Sequence, residues 1–229
     1  MAGQRFFRGF FYVLGLAVLA LGIILNTKTG LGVSPIISVP FSISNIWGID
    51  LGNAVLAVYI VFVLWEMFLH FSMEGIHGPH LCSLLLKDLL QLPLSLIFTR
   101  FMNLFWDVVP EFSGTSPSQM LLRSGVLLAG IVCTGIGVAV SLDMRLVPNP
   151  GDGIVQALAD ASGKKMGLVK NLFDLGSVLL TIFLCFLFTE DFSIIGIGAG
   201  TLAAVLGVGR VAALFQYGCG NSLKRAAGL

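Results

Sequence analysis

Six apolar runs, near residues 7–26, 52–71, 83–106, 121–142, 168–188 and 193–216, fill most of this chain. A helix needs about 20 consecutive apolar residues to cross a bilayer, and each run is long enough. Hydrocarbon offers no water to a free N–H or C=O, so segments of this kind satisfy their backbones internally, as helices. Composition argues against the alternative of core helices in a soluble globule. Of 229 residues, 56% are hydrophobic and 11% are charged, against about 25% charged in an ordinary soluble domain. A globule with that supply would expose more apolar surface than water tolerates. The expected fold class is all-α integral membrane, with residues 1–229 forming a single membrane domain.

A net charge of +1 leaves no electrostatic footprint for nucleic acid. Cys82, Cys133, Cys185 and Cys219 make no C-x-x-C pair and read as free thiols. Arg5 and Arg8 ahead of the first run give it the look of a signal peptide. It is too long for one, however, and ends in Asn26-Thr27-Lys28-Thr29 rather than a small-residue cleavage site. It is expected to be a retained first helix.

Six crossings put both termini on one side. With the N-terminus inside, Arg5, Arg8, Arg145, Lys164, Lys165, Lys224 and Arg225 all fall on inner segments. Lys28 falls outside, where the loop at Glu190 and Asp191 is acidic. Lysine and arginine are enriched on the cytoplasmic face, so both termini are expected there, in a cytoplasmic (bacterial inner) membrane.

A shift of about 115 residues brings the two halves into register: Gly22 falls on Gly137, Pro35 on Pro150, Gly48 on Gly163 and Gly52 on Gly167. With a slightly smaller shift, Arg100, Leu104 and Phe105 meet Arg210, Leu214 and Phe215. The repeats cover about residues 6–106 and 121–216. Three crossings per repeat is an odd number, so the second copy enters the membrane from the opposite side. The expectation is an inverted-topology repeat, an arrangement many secondary transporters use for alternating access. Duplication that merely built a stable bundle is the plainer alternative.

Each repeat carries a Gly/Pro-broken segment after its first span: Thr29 to Pro40, and Val147 to Leu158. Ser34-Pro35 and Asn149-Pro150 both read as an N-cap followed by proline at the first helical position. Asp152 is placed to accept from early amides. Two or three turns of helix are too short to span a bilayer. Such a piece either lies at the interface or re-enters between helices, aiming its N-terminus at a ligand. Matching broken segments in two halves are a pointer to a transport site.

With these segments the chain resembles the YczE/YyaS/YitT-like family of bacterial multi-span membrane proteins. The resemblance rests on Leu31-Gly32-Val33-Ser34-Pro35-Ile36-Ile37-Ser38-Val39-Pro40 and Gln91-Leu92-Pro93-Leu94-Ser95 in the first half. In the second half it rests on Pro150 to Ala157, Val169-Lys170-Asn171-Leu172-Phe173-Asp174, and Gly196-Ile197-Gly198-Ala199-Gly200-Thr201. It implies a small multi-span protein of the cytoplasmic membrane and no settled activity. The family pattern has an aromatic-Gly-aromatic run and an acid late in the third span. Phe98-Thr99-Arg100-Phe101 and Asn103 stand there instead.

Ionisable residues inside a membrane are functional candidates by default. Lys170 and Asp174, four apart on span 5, share a helix face and can pair. They belong either to a polar cavity, with Asp174 carrying a coupling proton, or to a structural ion pair. Arg100 and Arg210 lie near the far ends of their spans, from which arginine reaches the interface. Glu66, Lys87 and Asp88 are read as interfacial. His70, His77 and His80 are read as a solvated connection between spans 2 and 3, and no metal ligand set is assigned. Gly196, Gly198, Gly200 and Gly207, with Gly130, Gly135 and Gly137, read as close helix packing. Thr201 could add a hydroxyl where helices cross.

No catalytic motif and no nucleotide-binding loop appears, so neither an enzyme nor a cofactor is expected. The leading expectation is a secondary transporter or facilitator for a small polar solute. Its candidate site residues are Ser34, Gln91, Asn149, Asp152, Lys170, Asp174 and Thr201. The implied partners are that solute, a coupling proton or ion, and the lipid bilayer, with a homo-oligomer left open. The alternative is a scaffold or accessory subunit that binds a partner protein through the loops at 72–82 and 107–120, without transport.

Overall fold

The structure, a computed structural model, describes residues 2–73, 78–189 and 194–228. His77, Glu190, Asp191 and the side chain of Arg5 lie outside the described residues. The chain forms α1 (Ala2–Lys28), α2 (Pro35–Trp47), α3 (Leu51–Ser72), α4 (Pro79–Val108), α5 (Pro117–Asp143), α6 (Pro150–Ser162), α7 (Met166–Phe188), α8 (Ala199–Phe215) and α9 (Asn221–Ala227). A π turn, Gln216–Gly220, joins α8 to α9. The described residues contain no strand.

Six helices are long and apolar enough to cross a membrane: α1, α3, α4, α5, α7, and the continuous α8–α9 helix over Ala199–Ala227. Leu172, Leu175, Leu179, Phe183 and Phe186 of α7 are exposed. A water-soluble helix would turn such a row inward, whereas lipid accepts it. This is a multi-pass membrane protein. The sixth helix starts later and ends later than hydropathy alone predicts. It runs through the charged Lys224, whose ammonium meets Asp143 at 3.2 Å.

Local chemistry sets the helix starts. Ser116 Oγ accepts from Gln119 N while Gln119 Oε1 accepts from Ser116 N, a capping box ahead of Pro117. Asn149 Oδ1 accepts from Gly151 N at 3.1 Å, with Pro150 in the first turn. α6 ends on Gly163, whose φ of 64° is the left-handed conformation glycine adopts at little cost. Both Gly/Pro-broken segments therefore fold as 13-residue helices opened by proline.

The chain packs as two compact units, each discontinuous in sequence. The first comprises residues 1–35, 100–146 and 196–229, and the second 36–99 and 147–195.

In the first unit α1 and α5 run antiparallel. Arg8 donates to the Met144 and Arg145 carbonyls at 2.6 and 2.7 Å, and Arg123 Nε donates to the Thr29 carbonyl at 2.8 Å at the opposite end. Between these ends, Gly15 faces Gly137 and Gly22 faces Gly130. A β-carbon on Gly15 would stand 2.9 Å from Ser141 N, so the backbones touch, as small residues permit in membranes. Leu127 and Ile131 of α5 pack on Ala204 of α8. Val33 N donates to the Gly196 carbonyl and Gly200 N to that of Leu31, each at 2.8 Å.

In the second unit Ile154, Val155 and Ala159 of α6 pack with Val169 of α7 beneath Phe62 and Leu69 of α3. Tyr59 stacks on Phe98 of α4 with ring centroids 6.1 Å apart. Ser38 and Thr181 hydroxyls meet at 2.7 Å, tying α2 to α7. The first turns of α2 and α6 also touch, because a β-carbon on Gly151 would lie 2.7 Å from Ile36 Cδ1.

Candidate functional site

Two buried stripes in the second unit define the site. Tyr59, Val63, Glu66 and His70 are buried on α3 at spacings of four, three and four, one face of a helix. On α4, Asp88, Gln91, Ser95 and Phe98 are buried at spacings of three, four and three, again one face. One end of this seam is apolar, where Tyr59 stacks on Phe98. The other is polar and almost sealed: Glu66 is 3% exposed, His70 8%, Asp88 2% and Gln91 1%.

Within that polar end His70 Nδ1 and Asp88 Oδ2 are 2.8 Å apart, and Gln91 Nε2 donates to Glu66 Oε2 at 2.9 Å. Ligand-type atoms of Glu66, His70 and Asp88 all lie within 4.8 Å of one another. Gln91 Oε1 is buried and has no hydrogen-bond partner. Taking a carboxylate out of water costs several kcal/mol after relaxation. Two adjacent buried carboxylates do not both stay ionised without a proton or cation between them. A chain that needed only helix contact here would reach it with leucines.

The first turn of α6 closes over the cluster. A β-carbon on Gly153 would lie 2.6 Å from Glu66 Oε2 and 3.0 Å from Gln91 Nε2, so glycine is the residue that lets the turn approach. Asn149 hydrogen-bonds the Tyr59 hydroxyl, besides capping α6. Asp152 is half-buried. Burial pushes its carboxyl above the ordinary range, and the nearby Lys170 ammonium opposes that shift without cancelling it.

The candidate residues named from sequence fall in both units. Gln91, Asn149, Asp152, Lys170 and Asp174 are in the second. Gln91 is in the cluster itself, and Asn149 and Asp152 are in the turn beside it. Asp152 leaves the capping of α6 to Asn149. Lys170 is exposed and Asp174 half-buried, and the two do not close into an ion pair. Ser34 and Thr201 are in the first unit. Thr201 is buried, and its hydroxyl accepts from Gly198 N at 3.2 Å.

Three expectations are corrected. Glu66 and Asp88 are enclosed rather than interfacial, because they face each other across the α3–α4 seam. His70 is a buried residue of α3 rather than part of a solvated connection; His80 is exposed. An acid does stand beside the histidine, supplied by α4. The available signal was spacing: Glu66 and His70 are i, i+4, and Asp88 and Gln91 are i, i+3, on consecutive helices.

A third buried acid, Asp143, lies in the first unit. It pairs with Lys224 and accepts from Gln216 Nε2, each at 3.2 Å, so a cation already neutralises it.

Residues 6–217 match the family of unknown function DUF6198, and the chain belongs to that family. No curated protein and no solved structure matches it.

Proposed function

We propose that this protein is a secondary transporter or facilitator of a small polar solute in the bacterial cytoplasmic membrane, both termini cytoplasmic, akin to the YczE/YyaS/YitT-like proteins. The observation that carries the reading is the sealed Glu66–His70–Asp88–Gln91 cluster, held inside two membrane-length helices beneath the first turn of a broken helix. Buried ionisable groups of this kind mark solute and ion paths in membranes.

Alternating access calls for two halves related by a two-fold axis, and a two-fold axis makes contacts reciprocal. Shifting Gly15 and Gly22 by 115 residues gives Gly130 and Gly137, and the observed contacts are the crossed ones, Gly15 with Gly137 and Gly22 with Gly130. The same shift turns Ser38 into Gly153 and Glu66 into Thr181. Ser38 touches Thr181, and Gly153 touches Glu66. Ile36 maps onto Gly151, its own contact. These exchanged pairs support an inverted repeat of three plus three spans, with α2 and α6 as its re-entrant segments. Solute would bind where their first turns meet, and Asn149, Asp152, Gln91, Lys170 and Asp174 are the residues to test. Ser34 and Thr201, in the first unit, are residues to test in their own right.

In a thermal-shift screen of polar metabolites on purified protein, at least one compound should raise Tm, and Asp152→Ala should abolish that rise. A screen without a hit, or hits indifferent to Asp152→Ala and Gln91→Ala alike, would favour a scaffold.

A further inference from the structure

We propose that Glu66, His70, Asp88 and Gln91 form a binding site for one divalent first-row transition-metal ion. The inference shares with the transport reading only the view that this cluster is functional, and its test is blind to whether anything crosses the membrane.

Distance is the first argument. Metal–oxygen and metal–nitrogen bonds of about 2.0–2.2 Å set donors up to roughly 4.3 Å apart around one ion. The three ligand atoms already lie within 4.8 Å of one another, so small side-chain rotations close them around a cation. Their rigidity favours this: Glu66 and His70 are one turn apart on α3, Asp88 and Gln91 one turn apart on α4, and all four are buried.

Charge is the second argument. With both carboxylates ionised and His70 neutral, the cluster carries two negative charges. Neither Glu66 nor Asp88 pairs with a lysine or arginine; the described ion pairs are Lys28–Glu111, His70–Asp88 and Lys224–Asp143. A dication matches that charge.

Gln91 separates a metal from a mere shared proton. With Gln91 Nε2 donating to Glu66 Oε2 as observed, a proton shared between Glu66 and Asp88 would relieve their repulsion and leave Gln91 Oε1 buried without a partner. The Nε2 of that amide is committed to Glu66, so the orphan carbonyl oxygen belongs to a group already at the cluster. A metal ion satisfies it, because amide oxygen is a good ligand to hard and borderline cations.

The donor set indicates the class of ion. Three oxygens, one imidazole and no thiolate suit Mn2+, Fe2+ or Zn2+ rather than Cu+.

The test uses the full chain in detergent, without a polyhistidine tag and stripped with chelator, titrated with Mn2+ and separately with Zn2+. One saturable ion per chain is expected. Glu66→Gln and Asp88→Asn should each weaken binding more than about tenfold, while the exposed control Asp50→Asn leaves it unchanged. Pulsed electron paramagnetic resonance of the Mn2+-loaded wild type should show coupling to an imidazole nitrogen, a readout that needs no variant to fold. The signal should disappear in His70→Gln. Absence of 1:1 binding of either ion, absence of the nitrogen coupling, or affinity unchanged in Glu66→Gln and Asp88→Asn would overturn the proposal.

Discussion

The Glu66 carboxylate packs directly on Gly153: a β-carbon there would stand 2.6 Å from Oε2 and 3.0 Å from Oε1. A single glycine thus lets the first turn of α6 rest on the buried Glu66–Asp88 pair between α3 and α4. Gly153→Ala should push these groups apart. The atoms met are the ends of the Glu66 and Gln91 side chains, so the expected cost lies at the low end of the roughly 1–3 kcal/mol for overpacking a tight interior, read as a fall in Tm. Gly163→Ala tests a different effect, because nothing lies within 4 Å of it and only its positive φ is at stake. A Gly153→Ala protein as stable as wild type would contradict the contact.

The α1–α5 contact rests on crossed glycine pairs. Gly22→Val and Gly137→Val should each lower stability, again by about 1–3 kcal/mol, because each side chain would enter the backbone of the facing helix. Gly9→Ala and Gly125→Ala, with nothing within 4 Å of either residue, should have little effect. Thermal denaturation in one detergent checks all four. Equal tolerance at the four positions would contradict backbone contact between the helices.

Asp152 gives a pH signature. Its carboxyl in the folded protein is raised above the ordinary value, so the folded state holds that proton more tightly than the unfolded state does. The stability this confers is fully present below the unfolded carboxyl value, near 3.8. It is lost as pH rises through the folded one. Asp152→Asn should therefore be more stable than wild type at neutral pH, and the gap should close on acidification. A gap that widens towards low pH would mean that Asp152 is favourably paired when ionised.

Much of the architecture was legible because its causes are local. Apolar runs marked the six spans, and Ser34-Pro35 and Asn149-Pro150 marked the starts of the two short helices, the second through the Asn149 cap. Gln91, Asn149 and Asp152 were recognisable as polar residues in structurally loaded segments. The Glu66–Asp88 pair was not, because its meaning depends on the register of α3 against α4, set by packing such as the Tyr59–Phe98 stack. Taken singly, an acid near a helix end reads as interfacial. Lys170 and Asp174 erred in the opposite direction: i, i+4 spacing permits a pair, but Lys170 is exposed and the pair does not form.

Solute passage around the broken helices is tested most directly by access to one of them from both sides of the membrane. In a background with Cys82, Cys133, Cys185 and Cys219 replaced, Ser34→Cys puts a thiol at the start of α2. A membrane-impermeant maleimide is then applied to right-side-out and to inside-out vesicles. Alternating access requires labelling in both orientations. Labelling from one side only, or from neither in folded protein, would contradict it.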